Sequence, residues 1–254
     1  FNGNTLYPAS ASESLISMAG SFDIDSTNIS ALTNAVVAGA KVTQVTTTDY
    51  NLFSVGDVVK ITCSDLIPDL HDANRKLGQY AVINSITTNT LVLDSEIYEE
   101  SLYINDLRIG RLNSSSYAVR NFKVSNPNNV KPGNLVGMLS ARDCVFDNVT
   151  STSALSVFIQ PTNIYKYNAI NCGYANSADD ASSAEYGYGI NDRSCYKGTV
   201  DNFKGSGGRH AVTNNARLNP SAGSNLETGR TYGLTVNAGI SVGSKTSSWD
   251  THPG

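Results

Sequence analysis

Acidic residues and histidines in the last third of the chain have the types and spacing that could support acid–base chemistry. A site that hydrolyses glycosidic bonds needs two carboxylates, roughly 5 to 9.5 Å apart. Successive rungs of a coiled β-structure lie about 4.8 Å apart, so carboxylates one or two rungs apart could meet this requirement. Asp192 and Asp250 are the preferred pair, because both follow short strand patterns and flank Arg209-His210, and Glu185 is the reserve acid.

The same region could instead support a lyase reaction, in which a base removes a proton from the sugar. Asp250 and His252 alternate onto one face beside Trp249, and a histidine oriented by an aspartate can act as a general base. Arg209 would then neutralise a uronic carboxylate, as a lyase requires, with His210 beside it. Other interpretations stay open. The aspartates could cap turns, the cluster could be a polar network that holds a turn, or His210, Asp250 and His252 could hold a metal.

Aromatic and amide side chains supply candidates for binding sugars. The chain contains 13 Tyr and 1 Trp, whose flat rings suit stacking on sugar faces. Tyr167 falls on an inward position and is expected in the core. The predicted glycan-binding residues are Tyr186, Tyr188, Gln160 and Trp249.

A recurring pattern, apolar-x-apolar-x-Asn, indicates the element that positions these side chains. Its copies end at Asn126, Asn148, Asn171 and Asn202; the first two intervals are nearly equal and the third is clearly longer. Period-2 alternation indicates β-strands, and recurrence at intervals of this length indicates rungs of a coil. Asn tolerates a left-handed backbone and can form stacked ladders. The fold class predicted is all-β, a right-handed parallel β-helix.

A second register lies between the Asn rungs. Tyr188-x-Ile190-x-Asp192 aligns with His210-x-Val212-x-Asn214, and Ser156-x-Phe158-x-Gln160 aligns with them one rung earlier. Leu234-x-Val236-x-Ala238 forms a further rung without its Asn. The longer intervals predict loops that project from the stack, at 172–187 and after Leu218.

Three regions are predicted along the chain. Residues 1–40 form an N-terminal segment with a short capping helix from Asn28 or Ser30 to Ala40, in an alanine-rich stretch that follows capping residues. Residues 41–106 contain alternating strands joined by Gly-Asp and Thr-Asn turns, which indicate a small antiparallel barrel or sandwich. Residues 107–254 form the parallel coils, and the coiled structure is expected to continue past Gly254.

Composition excludes several classes of function. The 254 residues carry a net charge of −4 and only 16% charged side chains, which argues against nucleic-acid binding. No apolar run approaches the roughly 20 residues of a membrane span. The four cysteines have no metal-ligand spacing; Cys144 is expected in the core, and Cys172 and Cys195 could pair. We expect no cofactor and no resident metal.

Several segments resemble β-helix tailspikes and receptor-binding tail proteins of bacteriophages. FSVGDVVKI followed by GQYAVINSITTNTLVLD is similar to a small β module that precedes the helix in such proteins. The segments that resemble successive coils are NFKVSN, DCVFDNV, YGINDRSC, GGRHAVTNN and SSWDTHPG.

The resemblance implies a homotrimer in the virion tail, assembled in the host cytoplasm alongside other tail and baseplate proteins. Such a protein would bind a bacterial surface polysaccharide and could depolymerise it, with an endoglycosidase favoured over a lyase. The alternative is a non-catalytic structural or adhesive fibre segment.

Overall fold

The computed structural model describes residues 14–68, 75–125, 134–152, 157–177, 187–216, 225–244 and 249–251. Short 3-10 helices cover Tyr50–Leu52, Glu100–Leu102 and Asn225–Glu227. The strands, in chain order, are β1 (Ile16–Ala19), β2 (Phe22–Ser26), β3 (Ile29–Val37), β4 (Ala40–Thr47), β5 (Val58–Leu66), β6 (Lys76–Thr87), β7 (Thr90–Leu93), β8 (Arg108–Leu112), β9 (Ala118–Ser125), β10 (Val136–Leu139), β11 (Arg142–Thr152), β12 (Val157–Thr162), β13 (Tyr165–Ile170), β14 (Gly173–Ser177), β15 (Tyr188–Arg193), β16 (Tyr196–Asp201), β17 (Lys204–Gly207), β18 (His210–Asn215), β19 (Thr235–Asn237), β20 (Ile240–Val242) and β21 (Trp249–Thr251).

The described residues form two compact units. The parallel unit comprises the described residues up to Ala19, those between 115 and 215, and those from Thr231 to Thr251. The antiparallel unit comprises the described residues of 20–114 together with Ala216 and 225–230. This division differs from the predicted boundaries at 40 and 106, because β1 pairs with β10 of the parallel unit and β2 pairs with β8 of the antiparallel unit.

The parallel unit is a stack of coils. One sheet has the strand order β1-β10-β12-β15-β18-β21, with every pair parallel. The other has the order β19-β16-β13-β11-β14-β17-β20, and β9 also pairs with β11. The long strand β11 pairs with β13 through its first half and with β14 through its second. These pairings confirm the prediction of an all-β chain built from stacked parallel strands.

The registers define the coil length and locate the insertions. Arg142 of β11 lies opposite Tyr165 of β13, which in turn lies opposite Tyr196 of β16, so the second interval is the longer one. The extra residues fall between β14 and β15, inside the region predicted as the first loop, although Gly173–Ser177 is a strand rather than loop. A second increase falls between β18 and β19, where the predicted second loop begins.

The asparagine ladder is present, but its first member is not the predicted one. Asn148, Asn171 and Asn202 have φ of 52°, 54° and 49°. Below Asn148 lies Asn121, at φ 52°, and Nδ2 of Asn148 donates to its Oδ1 at 3.0 Å. Phe122 is opposite Val149, so the predicted alignment that ended at Asn126 is out of register. The pattern Tyr117-x-Val119-x-Asn121 is the copy that stacks, and Asn126 lies outside the described residues.

The other predicted rungs differ less. The alignment of Tyr188 with His210 and of Ile190 with Val212 is confirmed. On β12, Ile159 lies opposite Ile190, so the alignment through Phe158 was one residue out. Ala238 keeps the left-handed backbone of the ladder, at φ 51°, without an amide side chain.

Large apolar side chains fill the interior of the parallel unit. Phe146, Phe158, Tyr167 and Phe203 are at most 1% exposed, and burying one such side chain contributes about 1.5–3 kcal/mol. Gly198 lies above Tyr167, and a Cβ there would collide with the tyrosine ring, so the glycine makes room for it.

The four cysteines are buried and none is in a disulfide, so Cys172 and Cys195 do not pair with each other. Burial raises the pKa of Cys144 to about 11 and that of Cys172 to about 11, so these thiols stay protonated at neutral pH. Both residues belong to the core of the parallel unit, where they act as small apolar side chains.

The antiparallel unit contains a sheet of order β2-β8-β5-β6-β7-β4-β3. The helix predicted from residue 28 or 30 to residue 40 is wrong, because Ile29–Val37 is strand β3, paired antiparallel with β4. Ala38 and Gly39, with φ of 48° and 83°, form the two-residue turn that hairpins favour. The segment is rich in β-branched residues, and its pairing with β4 outweighs the helix propensity of its alanines.

Substitution of Asn171 measures the stabilisation from the ladder. Its φ is positive, and Nδ2 of Asn202 donates to its Oδ1 at 2.7 Å. We expect Asn171→Val to lower the free energy of unfolding by about 2 kcal/mol, since a β-branched residue strains a left-handed backbone. Asn171→Gly should cost less, because it loses only the hydrogen bond. Chemical denaturation measures both.

Asn168→Val is the matched control, since Asn168 is exposed on the same strand and its φ is not positive. Its effect should stay within about 0.5 kcal/mol. Equal losses from Asn171→Val and Asn168→Val would contradict the ladder interpretation.

Candidate functional site

Three neighbouring strands bring together most of the predicted site residues that the structure describes. Tyr188 begins β15, His210 begins β18 and Trp249 begins β21. Tyr188 lies directly opposite His210 in the register, and their ring centroids are 5.3 Å apart. Both are buried, at 5% and 3% exposure, which holds the rings in fixed positions. Parallel stacking therefore places side chains that are distant in sequence beside one another.

A histidine–aspartate contact lies at the centre of this cluster. Nε2 of His210 is 3.4 Å from Oδ2 of Asp250, and the Asp250 side chain is 31% exposed. A carboxylate beside an imidazole orients the ring and stabilises its protonated form when it accepts a proton. The contact joins a buried imidazole to a partly exposed carboxylate and fixes the orientation of the ring.

Arginine and tryptophan complete the cluster. The guanidinium carbon of Arg209 is 5.7 Å from the centroid of the Tyr188 ring, a cation–π contact that keeps a positive charge beside His210. Trp249 is 43% exposed. It also lines a cavity of about 350 Å³ together with Val212, Asn214, Leu234, Val236 and Asp250. Trp249 lies opposite the core residue Val212 on β21, the last described strand of its sheet, and its ring reaches Gly239, next to β20 of the other sheet. The indole is therefore exposed at the end of the stack, whereas Arg209 and Asp250 lie beside His210.

Asp192 does not belong to this surface, which corrects its assignment as a catalytic carboxylate. It is 0% exposed, Oδ2 accepts from Tyr167 Oη at 2.8 Å, and Oδ1 accepts from Thr231 Oγ1 at 2.6 Å. Burial raises the pKa of Asp192 above its usual value. Asp192 lies opposite Asn214 whereas Asp250 lies opposite Thr213, so the predicted pair does not share a column.

The remaining predicted residues lie elsewhere. Gln160 is on β12, where its Nε2 donates to Oγ1 of Thr162 at 3.4 Å. Glu185, Tyr186 and His252 fall outside the described residues. The metal site considered from His210, Asp250 and His252 therefore lacks one described member, and among the described residues no three His, Cys, Asp or Glu side chains are grouped to hold a metal ion.

Sequence reasoning missed the partners of Asp192. Tyr167 was assigned to the core without its hydrogen bond, and Thr231, which follows the second insertion, was not singled out. Thr231 Oγ1 also accepts from the backbone N–H of Cys195 at 3.3 Å. Tyr167, Asp192 and Thr231 are widely separated in sequence, and no local pattern links them. Separately, the described part of the chain has no helix long and apolar enough to cross a membrane.

Comparison with known proteins identifies the fold. No family model and no curated protein matches the chain. Among solved structures, the tailspike protein gp49 from Pseudomonas phage LKA1 matches 87% of this chain with a TM-score of 0.65 and 18% identity. The chain spans about a third of that protein's length, 34%.

Two further structures match with TM-scores below 0.5. They are the gp54 tailspike of Acinetobacter baumannii bacteriophage AP22, in complex with capsular saccharide, at 14% identity and TM-score 0.40, and the Pseudomonas phage phi297 tailspike gp61, at 12% and 0.32. This chain covers 49% and 53% of their lengths, and they match 85% and 94% of its residues. On the match to gp49, the chain has a tailspike-like fold, as the sequence resemblance predicted.

Substitution of Asp192 tests its structural role. Because its folded-state pKa is raised, its contribution to stability is greatest below the ordinary value of 3.8 and falls as pH rises toward the folded-state pKa. Asp192→Asn, which mimics the protonated form, should be at least as stable as wild type near neutral pH, with a smaller difference at about pH 4. Asp192→Ala should lose about 2–3 kcal/mol, since two buried hydroxyls lose their acceptor. Urea denaturation at both pH values measures these effects.

Asp201→Asn removes the same charge from a half-buried position on β16 and should change stability by less than about 0.5 kcal/mol. A larger loss for Asp192→Asn near neutral pH than at about pH 4 would show that the buried group is needed in its ionised form.

Proposed function

We propose that this chain is part of a bacteriophage tail protein that binds a bacterial surface polysaccharide. The observation that carries the proposal is the cluster of Arg209, His210, Trp249 and Asp250 on one sheet of a tailspike-like fold. A polysaccharide is long and largely polar, and a row of parallel strands offers it an extended surface on which side chains recur at a fixed spacing. The β-helix supplies the rigid support, and the cluster supplies the contacts.

The chemistry of the cluster suits sugars. Trp249 supplies an indole ring at the end of the stack that can contact a sugar ring, while Arg209 and Asp250 can donate to and accept from polar groups of the polymer. The low charge content of the chain, 16%, favours a partner recognised through hydroxyl and amide groups over nucleic acid. A protein of this kind would be located in the virion tail.

A second candidate function is cleavage of the bound polysaccharide, and the contact between His210 and Asp250 favours it. His210, oriented by Asp250, would remove the proton from the carbon next to a uronic carboxylate, which Arg209 neutralises. The electron pair left on that carbon would form a double bond and expel the glycosidic oxygen, which takes up a proton. This is a lyase reaction. A hydrolase that uses Asp192 and Asp250 is less favoured, because the carboxylate of Asp192 is buried.

The assembly is proposed on the sequence resemblance. We infer a homotrimer of right-handed coils that joins other tail and baseplate proteins after assembly in the host cytoplasm. We assign to the antiparallel unit the role of the small β module that the resemblance implies. The alternative is a non-catalytic adhesive fibre segment, in which the cluster binds the polysaccharide but does not cleave it.

Variants of the cluster separate binding from cleavage. Trp249→Ala should weaken polysaccharide binding about tenfold, because the stacking face is lost. His210→Ala should reduce cleavage at least about a hundredfold while leaving binding within a few-fold, since a general base contributes to the chemical step. Calorimetry against purified capsules measures binding, and ultraviolet absorbance of the unsaturated product measures cleavage.

Asp201→Asn on β16 serves as the control and should leave both unchanged. Binding by wild type that Trp249→Ala leaves intact would remove the cluster as the binding surface. If wild type binds the polysaccharide but forms no unsaturated product, the lyase reaction is excluded and the non-catalytic adhesive segment is supported.

A further inference from the structure

A repeated Tyr-Lys pair forms one corner of the parallel unit, between the ends of β12 and β15 and the starts of β13 and β16. Tyr165-Lys166 and Tyr196-Lys197 lie on adjacent rungs, with Tyr165 directly opposite Tyr196. Their rings stack at 5.7 Å between centroids, with 12° between the planes. We call these four residues the Tyr–Lys corner.

Each lysine is held over its neighbouring tyrosine. Nζ of Lys166 is 4.9 Å from the centroid of the Tyr165 ring, and Nζ of Lys197 is 5.0 Å from that of Tyr196. The rings are only 4% and 5% exposed, whereas both lysines are exposed. The stacked rings thus act as a base from which two ammonium groups face solvent in defined positions.

The choice of lysine at these positions opposes stability in two ways. Lys166 and Lys197 have φ of 62° and 56°, a left-handed conformation that lysine adopts with strain. Gly233 occupies the corresponding position of the next rung, with φ of 71°, a conformation that glycine adopts without strain. The two lysines also lie on adjacent rungs, whose backbones are about 4.8 Å apart, so two like charges are placed on neighbouring positions. The fold alone would favour Asn or Gly at both positions.

Among the described residues, one acidic side chain lies beside the corner, on the rung that precedes Lys166. Asp143 is in the same column, but its Oδ2 contacts Nε of Arg142 at 3.1 Å. No described carboxylate lies within 4.0 Å of either lysine ammonium group. Two adjacent positive charges on a rigid base are the arrangement that an anionic group stabilises.

We propose that the Tyr–Lys corner binds the anionic groups, carboxylate or phosphate, of an acidic polysaccharide. This inference rests on the proposed function and adds to it the charge class of the polymer. One anionic group bridging Lys166 and Lys197 relieves their repulsion, and the tyrosine rings limit the side-chain entropy lost on binding. The corner lies past the opposite end of the strands from His210, so it forms a contact separate from that cluster.

The test compares wild type with the double variant Lys166→Gln/Lys197→Gln in calorimetric titrations with three probes. Polygalacturonate carries carboxylates, a wall teichoic acid carries phosphates, and carboxyl-reduced polygalacturonate is the neutral match of the first. We expect wild type to bind at least one anionic probe, the double variant to bind it about tenfold more weakly, and the difference to shrink in high salt. The anionic probe that is bound identifies the group recognised.

Lys123→Gln/Lys204→Gln removes two exposed lysines from other strands and is the control for net charge. The proposal would be overturned if Lys123→Gln/Lys204→Gln weakened binding as much as Lys166→Gln/Lys197→Gln does, or if Lys166→Gln/Lys197→Gln bound the anionic polymer as tightly as wild type. It would also be overturned if wild type bound neither anionic polymer. Binding of the neutral polymer that depends on Trp249 would still support the proposed function, so the two failures are distinguishable.

A stability measurement separates binding from a structural role. Lys166→Asn should leave the midpoint of thermal unfolding unchanged or raise it, because Asn accepts the left-handed backbone and one repulsion is removed. A clear fall in the midpoint would assign the lysine to the fold and count against the proposal.

Discussion

The parallel unit depends on one recurring constraint: the backbone enters the left-handed region at corners that superimpose from coil to coil. Three columns of described residues with positive φ meet it, and they run through Asn121, Asn148, Asn171, Asn202 and Ala238, through Ser140, Asn163 and Ser194, and through Asp143, Lys166, Lys197 and Gly233. Because the corners superimpose, the strands between them keep one length and one register. Additional residues are therefore inserted where the chain leaves the sheets, as between β9 and β10, between β14 and β15 and between β18 and β19.

The fixed register also determines which side chains share the interior. Tyr167 extends into the space above it because Gly198 has no side chain, and its hydroxyl then reaches Asp192 on the next coil. A carboxyl group at 0% exposure is costly unless its oxygens accept hydrogen bonds, and Tyr167 and Thr231 donate them. The acid that looked suited to chemistry is thus part of the packing between coils.

The outward features follow from the same stacking. Side chains separated by a whole coil of sequence become neighbours on adjacent strands, so Tyr188 lies opposite His210 and Asp250 of the next strand contacts His210 without any local motif. At another corner, the same geometry places Lys166 beside Lys197 and stacks their tyrosines. A β-helix can therefore build a binding surface from single residues contributed by each coil, and the spacing of the rungs sets the spacing of the contacts.

The sequence by itself determined the coil and two of its insertions, because alternation and left-handed Asn residues are local requirements that recur along the stack. It missed the additional residues between β9 and β10. It also grouped Arg209, His210 and Asp250, since two of these are adjacent and the third lies on the next strand of the same sheet. It misplaced the first ladder residue, choosing Asn126 over Asn121, because both end an alternating pattern and only pairing with β11 distinguishes them. It read Ile29–Val37 as helix because the stabilising partner, β4, lies beyond the segment. The burial of Asp192 and the stacking of the Tyr–Lys corner were decided only by tertiary structure, since both arise from contacts between coils that local sequence does not encode.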